Sequence, residues 1–142
     1  MKDDRKTYII GRILDHKIDT GGETMLYKIR WAKYGQRHDS WEPEQGLVDA
    51  SLCLDKYWKF RLLRIQLMSY DNVYAWAVIL HGKSRNAILG MYETVDDAAR
   101  AHDRAYMFIR GVKDRYISWM FPDEQPCIPS TEEIMAIESC DL

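Results

Sequence analysis

The feature that most constrains this chain is its order: three short β-type runs and a capped helix, then three more and another capped helix, with no Gly/Ser/Pro spacer between. In the first block, residues 8–14 (YIIGRIL) are β-rich, and Asp19, Thr20, Gly21 and Gly22 spell a turn. Residues 26–31 (LYKIRW) alternate apolar and polar, as a half-buried strand does, and Trp41-Glu42-Pro43 is a short strand stopped by proline. Asp49 is expected to cap a helix reaching about Arg61, with Ala50, Cys53, Leu54, Tyr57 and Trp58 on one face. In the second block the runs are residues 62–68, 74–81 and 85–92, the last two joined by a tight Gly82-Lys83-Ser84 turn. Thr94 and Asp97 open a helix that Gly111 ends, with a small-residue stripe of Ala98, Ala101, Ala105 and Ile109. The fold class this predicts is α+β. Two small domains, residues 1–61 and 62–122, each pack a three-stranded antiparallel sheet with a C-terminal helix, and residues 123–142 form a tail. Because domain boundaries normally fall in flexible polar linkers, the missing one predicts direct packing of the two halves.

The 142 residues carry a net charge of −2, unevenly placed. Residues 1–61 hold 12 Lys/Arg and 10 Asp/Glu, residues 62–122 hold 8 and 6, and residues 123–142 hold no base and 6 acids. The body is only mildly basic, well short of a strong phosphate binder, and the acidic end reads as a separate element. Ser130 and Glu133 form a capping-box pattern ahead of Ile134, Met135 and Ile137, so a short helix is expected there. The longest apolar run, residues 75–80, is far short of a membrane span, and no signal peptide is expected. Three scattered cysteines, Cys53, Cys127 and Cys140, make no disulfide framework and fit a reducing compartment.

Enzymatic chemistry has the least support. His16, His38, His81 and His102 make no ligand-spaced pair with a cysteine, no Gly-rich phosphate loop occurs, and no Ser or Cys stands in a nucleophile signature. Neither a metal nor a cofactor is expected. His102, beside Asp103, reads as a packed or surface histidine.

Aromatic residues ordinarily fill cores and rims. Here the order of their neighbours, Y-I-I-G-R-I-L-D, then Y-K-I-R-W-A-K-Y, then S-W-E-P-E and a helix, resembles a chromodomain over about residues 7–60. The resemblance implies three short strands on a C-terminal helix and an open cage for a methylated lysine, formed by Tyr8, Trp31 and Tyr34. It places Trp41 in the core. It also implies a peptide, most naturally a histone H3 tail, added as a strand between the segment through Tyr8 and the segment after Trp41, with Thr7, Ile10, His38, Asp39 and Gly46 at the contact positions. His38 stands where the family has an acid and Gly46 where it has an asparagine; Asp39 is one place from His38 and is expected to substitute. A nuclear chromatin reader is the function implied.

Residues 87–122, with A-I-L-G-M-Y-E-T-V-D-D-A-A-R-A-H-D-R-A and a later M-F-P, resemble an Apetala-two / ethylene-response-factor domain together with Trp76 upstream. That family lays its sheet in the DNA major groove through Arg and Trp. Those positions fall here on Ile79, His81, Asn86 and Ile88, and near Gln66, Ser69 and Asp71, none of them Arg or Lys. Bidentate arginines carry phosphate affinity and guanine readout, so sequence-specific DNA binding is not expected; weak, salt-sensitive binding of nucleic acid stays open. The arginines at 100, 104 and 110 read as a solvated helix face. Ala77, Ile79 and Ile88 are instead expected to form a protein interface, covered by the first domain, by the tail through Ile134, Met135 and Ile137, or by a further chromatin protein or a second copy. The alternative is a DNA-binding transcriptional regulator that uses its second domain.

Overall fold

A computed structural model describes residues 9–19, 21, 23–59, 61–111, 120–121 and 123–142. The first antiparallel sheet consists of β1 (Ile10–Ile18), β2 (Met25–Trp31) and β3 (Ser40–Pro43) in that order. The second consists of β4 (Leu63–Tyr70), β5 (Val73–His81) and β6 (Asn86–Tyr92). Three helices accompany them: α1 (Ser51–Trp58), α2 (Val95–Arg110) and α3 (Thr131–Glu138). The class is α+β.

Local chemistry accounts for most of these elements. In β2 the period of two puts Met25, Tyr27 and Ile29 wholly inside, while Lys28 and Arg30 point away. The register of β1 against β2 slips at Gly11 and again at Leu14. At Gly11 a side chain would bring its Cβ to 2.9 Å from the Arg30 carbonyl oxygen, so this close approach needs glycine. The β4–β5 hairpin turns through Asp71 and Asn72, both with positive φ (54° and 66°), a conformation Asp and Asn adopt most readily after glycine. In α2 the Thr94 hydroxyl accepts the Asp97 N–H at 3.1 Å, and Gly111 closes the helix at φ 84°.

Helix α1 departs from expectation. Its N-cap is Ala50, with no side-chain cap, and it ends at Trp58 rather than near Arg61. The chain enters it from a 3-10 stretch, Glu44–Ala50, not from the extended backbone an Asp cap requires. The two halves meet directly. One buried apolar cluster runs from Tyr27, Ile29, Leu54 and Trp58 into Leu63, Ile65, Trp76 and Val78. Helix α2 lies on β4, β5 and β6 and also touches β1. Its alanines at 98, 99, 101 and 105 are fully buried, which lets its backbone approach closely on more than one side. Glu44 accepts the Leu67 N–H at 2.6 Å, and Arg64 reaches Asp55 at 2.7 Å.

The acidic end is not a separate element. The Ser130–Glu133 capping box forms, and α3 packs on β6 and α2. Buried Glu133 takes Arg104 at 2.8 Å and the Tyr92 hydroxyl, and Glu124 takes Arg100 in a two-point pair at 3.0 and 3.1 Å. These two arginines, expected to be solvated, are thus the seat of the tail. Buried Asp103, which also meets His102 at 2.9 Å, accepts the Met120 and Phe121 N–H groups at 2.7 and 2.9 Å. At the chain end Asp141 caps the β5–β6 turn, its carbonyl on the Lys83 N–H and its carboxylate on the Ser84 N–H and hydroxyl. A side chain at Gly82 would collide with the Arg85 carbonyl and with Asp141. Although burial pushes the Glu133 carboxyl up, Arg104, Tyr92 and the Ser130 N–H outweigh it and hold the group below the usual glutamate range. Glu133→Ala strands Arg104 and Tyr92. We expect it to cost about 1–3 kcal/mol in urea unfolding, with amide protection over residues 131–138 lost first.

His16 on β1 is packed among Tyr57 (Nδ1 to hydroxyl, 2.6 Å), Trp58 and Tyr27. Burial, with repulsion from His102 and Arg61, lowers its pKa from 6.5 to about 3. The unfolded chain takes up this proton near 6.5 and the folded chain only near 3, so stability present above that window drains as pH falls through it. Stability should therefore drop between about pH 7 and about pH 5 in the wild type and drop less in His16→Gln, as urea midpoints at the two pH values will show.

Candidate functional site

Strand β2 carries its core face out to its last residue. Tyr27 and Ile29 are sealed, but Trp31 is only half-buried, because no element among the described residues covers the end of the strand. Alternation and register place Ser40 and Glu42 on this same face, opposite Ile29 and Tyr27. The Trp31 indole N–H donates to the Ser40 hydroxyl at 3.0 Å, and that hydroxyl donates to Glu42 at 2.7 Å. The relay fixes the plane of the ring. Between β2 and β3 the chain turns through Lys33, at φ 68°, and a 3-10 turn Gln36–His38. This brings the Tyr34 ring to 5.1 Å from His38, tilted by 57°. Trp31, Tyr34, His38, Ser40 and Glu42 line one open cavity of about 440 Å³.

Two ring faces and a carboxylate around an open space suit a cation that carries apolar substituents. Trp31 and Tyr34, two of the three expected cage residues, and His38, an expected peptide contact, line this one cavity. Ile10 is the cross-strand partner of Trp31, and the neighbouring Ile9 carbonyl accepts the Ala32 N–H at 2.8 Å. Tyr8 and Thr7 lie outside the described residues. Asp39 does not take up the expected place. Its side chain, 5% exposed, holds Arg30 by two bonds of 2.6 and 2.9 Å, and that guanidinium keeps the carboxyl below the usual aspartate range. Gly46 sits exposed in the 3-10 stretch and does not line the cavity. Sequence reading missed Ser40 and Glu42; the signal available was their alternation with Trp41 across from the core positions of β2. Trp41 itself is not in the core. It is half-buried on the opposite face, where the Lys17 ammonium lies 4.2 Å above its ring.

The residues singled out on the second sheet divide. Ile79 and Ile88 are cross-strand partners, Ile79 half-buried and Ile88 53% exposed. Ala77 is fully buried and offers a partner no surface. Ile137 is buried within the chain, Ile134 half-buried and Met135 exposed, so the tail's apolar side already has an internal use. Among the described residues no group of three or more His, Cys, Asp or Glu is placed to hold a metal ion.

With a three-stranded sheet, a following helix and an aromatic cavity at the sheet's end in place, comparison with known families is informative. Residues 8–60 match the Chromo (CHRromatin Organisation MOdifier) domain, and a chromo domain over this segment is supported. Curated relatives agree. The "Histone-lysine N-methyltransferase, H3 lysine-9 specific" of Schizosaccharomyces pombe is 39% identical over 66 residues, 46% of this chain and 13% of that protein. "Testis-specific chromodomain protein Y 1" and "Testis-specific chromodomain protein Y 2" of Homo sapiens are each 38% identical over 45 residues, 32% of this chain and 8% of theirs. The chain thus matches only a small part of each relative's length.

The relay makes the ring position testable. Ser40→Ala removes the Ser40 hydroxyl from the Trp31 indole N–H, whereas the Trp58 indole N–H stays on the Tyr27 hydroxyl at 3.2 Å. In the variant the Trp31 indole proton should exchange with water faster, relative to Trp58 as internal reference, in nitrogen-edited NMR spectra.

Proposed function

We propose that this chain is a chromatin reader that binds a methylated lysine of a histone tail, H3 foremost, in a cage of Trp31, Tyr34 and Tyr8. The observation that carries this reading is the cavity at the end of β2, with two aromatic residues and the Glu42 carboxylate on its wall. A trimethylammonium cannot donate hydrogen bonds and is weakly hydrated, so ring faces attract it by about 0.5–2 kcal/mol each. Glu42 supplies the negative charge that the family places at the position of His38. The tail would add as a strand between the segment through Tyr8 and Ile10 and the stretch Glu44–Ala50. The second sheet, α2 and the tail act in this reading as a structural or protein-interaction module, and Ile79 with Ile88 is the part of it left for a partner. The reading is of a binding protein, not a catalyst: the part of the methyltransferase that aligns is 13% of that protein. A nuclear location follows from the substrate.

Titration of unmethylated and trimethylated H3 peptides tests this. The wild type should prefer the trimethylated form at least tenfold. Tyr8→Ala, Trp31→Ala and Tyr34→Ala should each lose about 1–2 kcal/mol or more of that binding while staying folded. His38→Glu, which adds an anion beside the cation, should tighten it. Equal binding of both peptides by the wild type would sink the reading.

A further inference from the structure

The second sheet is covered from within the chain on every side but one. Helix α2 packs on β4, β5 and β6, Glu44 takes the Leu67 N–H at the free edge of β4, and α3 packs on β6. Trp76, Val78 and Leu80 of β5 are buried beneath this cover, so alternation sends Ala75, Ala77 and Ile79 to the other face. Register sets that face in rows, Met68–Ala75, Gln66–Ala77–Met91 and Arg64–Ile79–Ile88. Met68, Ile88 and Met91 are exposed and Ile79 is half-buried. Single apolar residues are ordinary on a surface, but these are neighbours across three strands. Arg64 is the one base in these rows, and Asp55 already holds it at 2.7 Å.

Charge stands at the two ends of the face, sorted by sign. Asp71, in the β4–β5 turn, and Glu93, just past β6, mark one end; Lys83 and Arg85, in the β5–β6 turn, mark the other. All four are exposed, and none has an ion pair among the described residues.

We propose that this face docks on the same face of a second copy of the chain, in a two-fold dimer. Such a contact needs a patch that complements itself. Here the two-fold axis lies between the two sheets and runs across the strands at Ala77, the midpoint of β5. It reverses the strand direction in the second copy, which lays the basic end of each copy over the acidic end of the other. It also lays Ile79, on one side of the midpoint, over Ala75, on the other, so that large side chains meet small ones as the sheets pack face to face. Met91, level with Ala77, meets its own equivalent. An acidic helix would match Lys83 and Arg85 but be repelled by Asp71 and Glu93, and a basic helix the reverse. The dimer names the partner left open for Ile79 and Ile88 above. It does not rest on the methyl-lysine reading, whose cavity is on the first sheet.

Sedimentation velocity on the full chain, up to about 200 μM, tests this. A three-stranded patch is smaller than a standard interface, so the dissociation constant should be on the order of 10 μM, rising as salt screens the end charges. Met91→Lys, at an exposed position, should give a monomer that melts at the wild-type temperature, and Ile79→Glu with Ile88→Glu should also lose the dimer. Lys83→Glu with Arg85→Glu makes both ends acidic. Asp71→Asn with Glu93→Lys leaves both ends basic, and asparagine suits the positive φ of 54° at that turn. Each charge variant alone should self-associate at least tenfold more weakly than wild type. An equal mixture of the two should form a mixed dimer near wild-type affinity, a rescue that a merely structural defect cannot give. Every variant should keep the wild-type affinity per chain for the trimethylated H3 peptide, so failure of the dimer and failure of the cage read differently. The proposal is overturned if the wild type stays monomeric at the highest concentration, if Met91→Lys dimerises like wild type, or if the mixed charge variants associate no better than either alone.

Discussion

Everything else in this fold is arranged around the buried carboxylate of Glu44. It follows directly on β3, it accepts the Tyr27 hydroxyl at 2.9 Å from the centre of β2, and it accepts the Leu67 N–H at 2.6 Å from the edge of β4. The Tyr27 hydroxyl in turn receives the Trp58 indole N–H from α1 at 3.2 Å. Both sheets therefore share one acceptor, and α1 joins them through the Tyr27 hydroxyl. It also ends the first sheet's reach and stops the exposed edge of β4 from presenting that N–H to another chain. Burial pushes the Glu44 carboxyl up, against the pull of its two donors and of Arg64. A raised carboxyl contributes most at low pH and loses its contribution as pH rises through its folded value, the reverse of the buried neutral His16. The two groups flank the same Tyr27–Trp58 contact, and their contributions to the stability of the core run in opposite directions with pH.

The candidate site follows from where cover runs out. The residues that make the core of β2 and the residue that lines the open cavity belong to one alternating series, Met25, Tyr27, Ile29 and Trp31. The first three are sealed at 0% exposure; the fourth is left half-open beyond the reach of α1 and the 3-10 stretch. A large ring at that position keeps the hydrophobic series unbroken yet has a face to offer. The Ser40–Glu42 relay then determines which way the face points. An aromatic site built this way is held by strands rather than by the loop beside it, and only Tyr34 and His38 come from that loop.

What was legible in the sequence was local. Alternation, a proline, a Thr cap, a Ser–Glu box and a terminating glycine each act within a few residues, and the strands and α2 fall where those signals put them. The pairings across long separations were not legible. Arg104 finds Glu133 29 residues on, and Arg100 finds Glu124 24 residues on. Helix periodicity alone cannot distinguish an arginine facing water from one facing a docked segment. Asp39 was misjudged for a related reason. Its position beside His38 was read correctly, but its carboxylate points to the opposite face, where Arg30 holds it. Trp41 was placed in the core because the family resemblance maps it onto a core position; the register with Lys28 shows that its side of β3 faces away from the core.

The period of two has a further consequence at the end of β2. Arg30 and Trp31 are adjacent in sequence and cannot share a face. One strand therefore delivers a guanidinium to a charged surface and an indole to a cavity, with a single backbone step between them. Slipping the register by one residue would exchange the two roles and put Lys28 and Arg30 into the core, so the apolar series that folds the sheet also enforces the separation. The bulge at Gly11 falls in β1 opposite this step and the bulge at Leu14 opposite the Lys28–Ile29 step, and after them Arg12 pairs with Arg30 and Asp15 with Lys28. Twisting the sheet there keeps like side chains on like faces, and that allows a segment this small to present an aromatic pocket on one side and a cationic surface on the other.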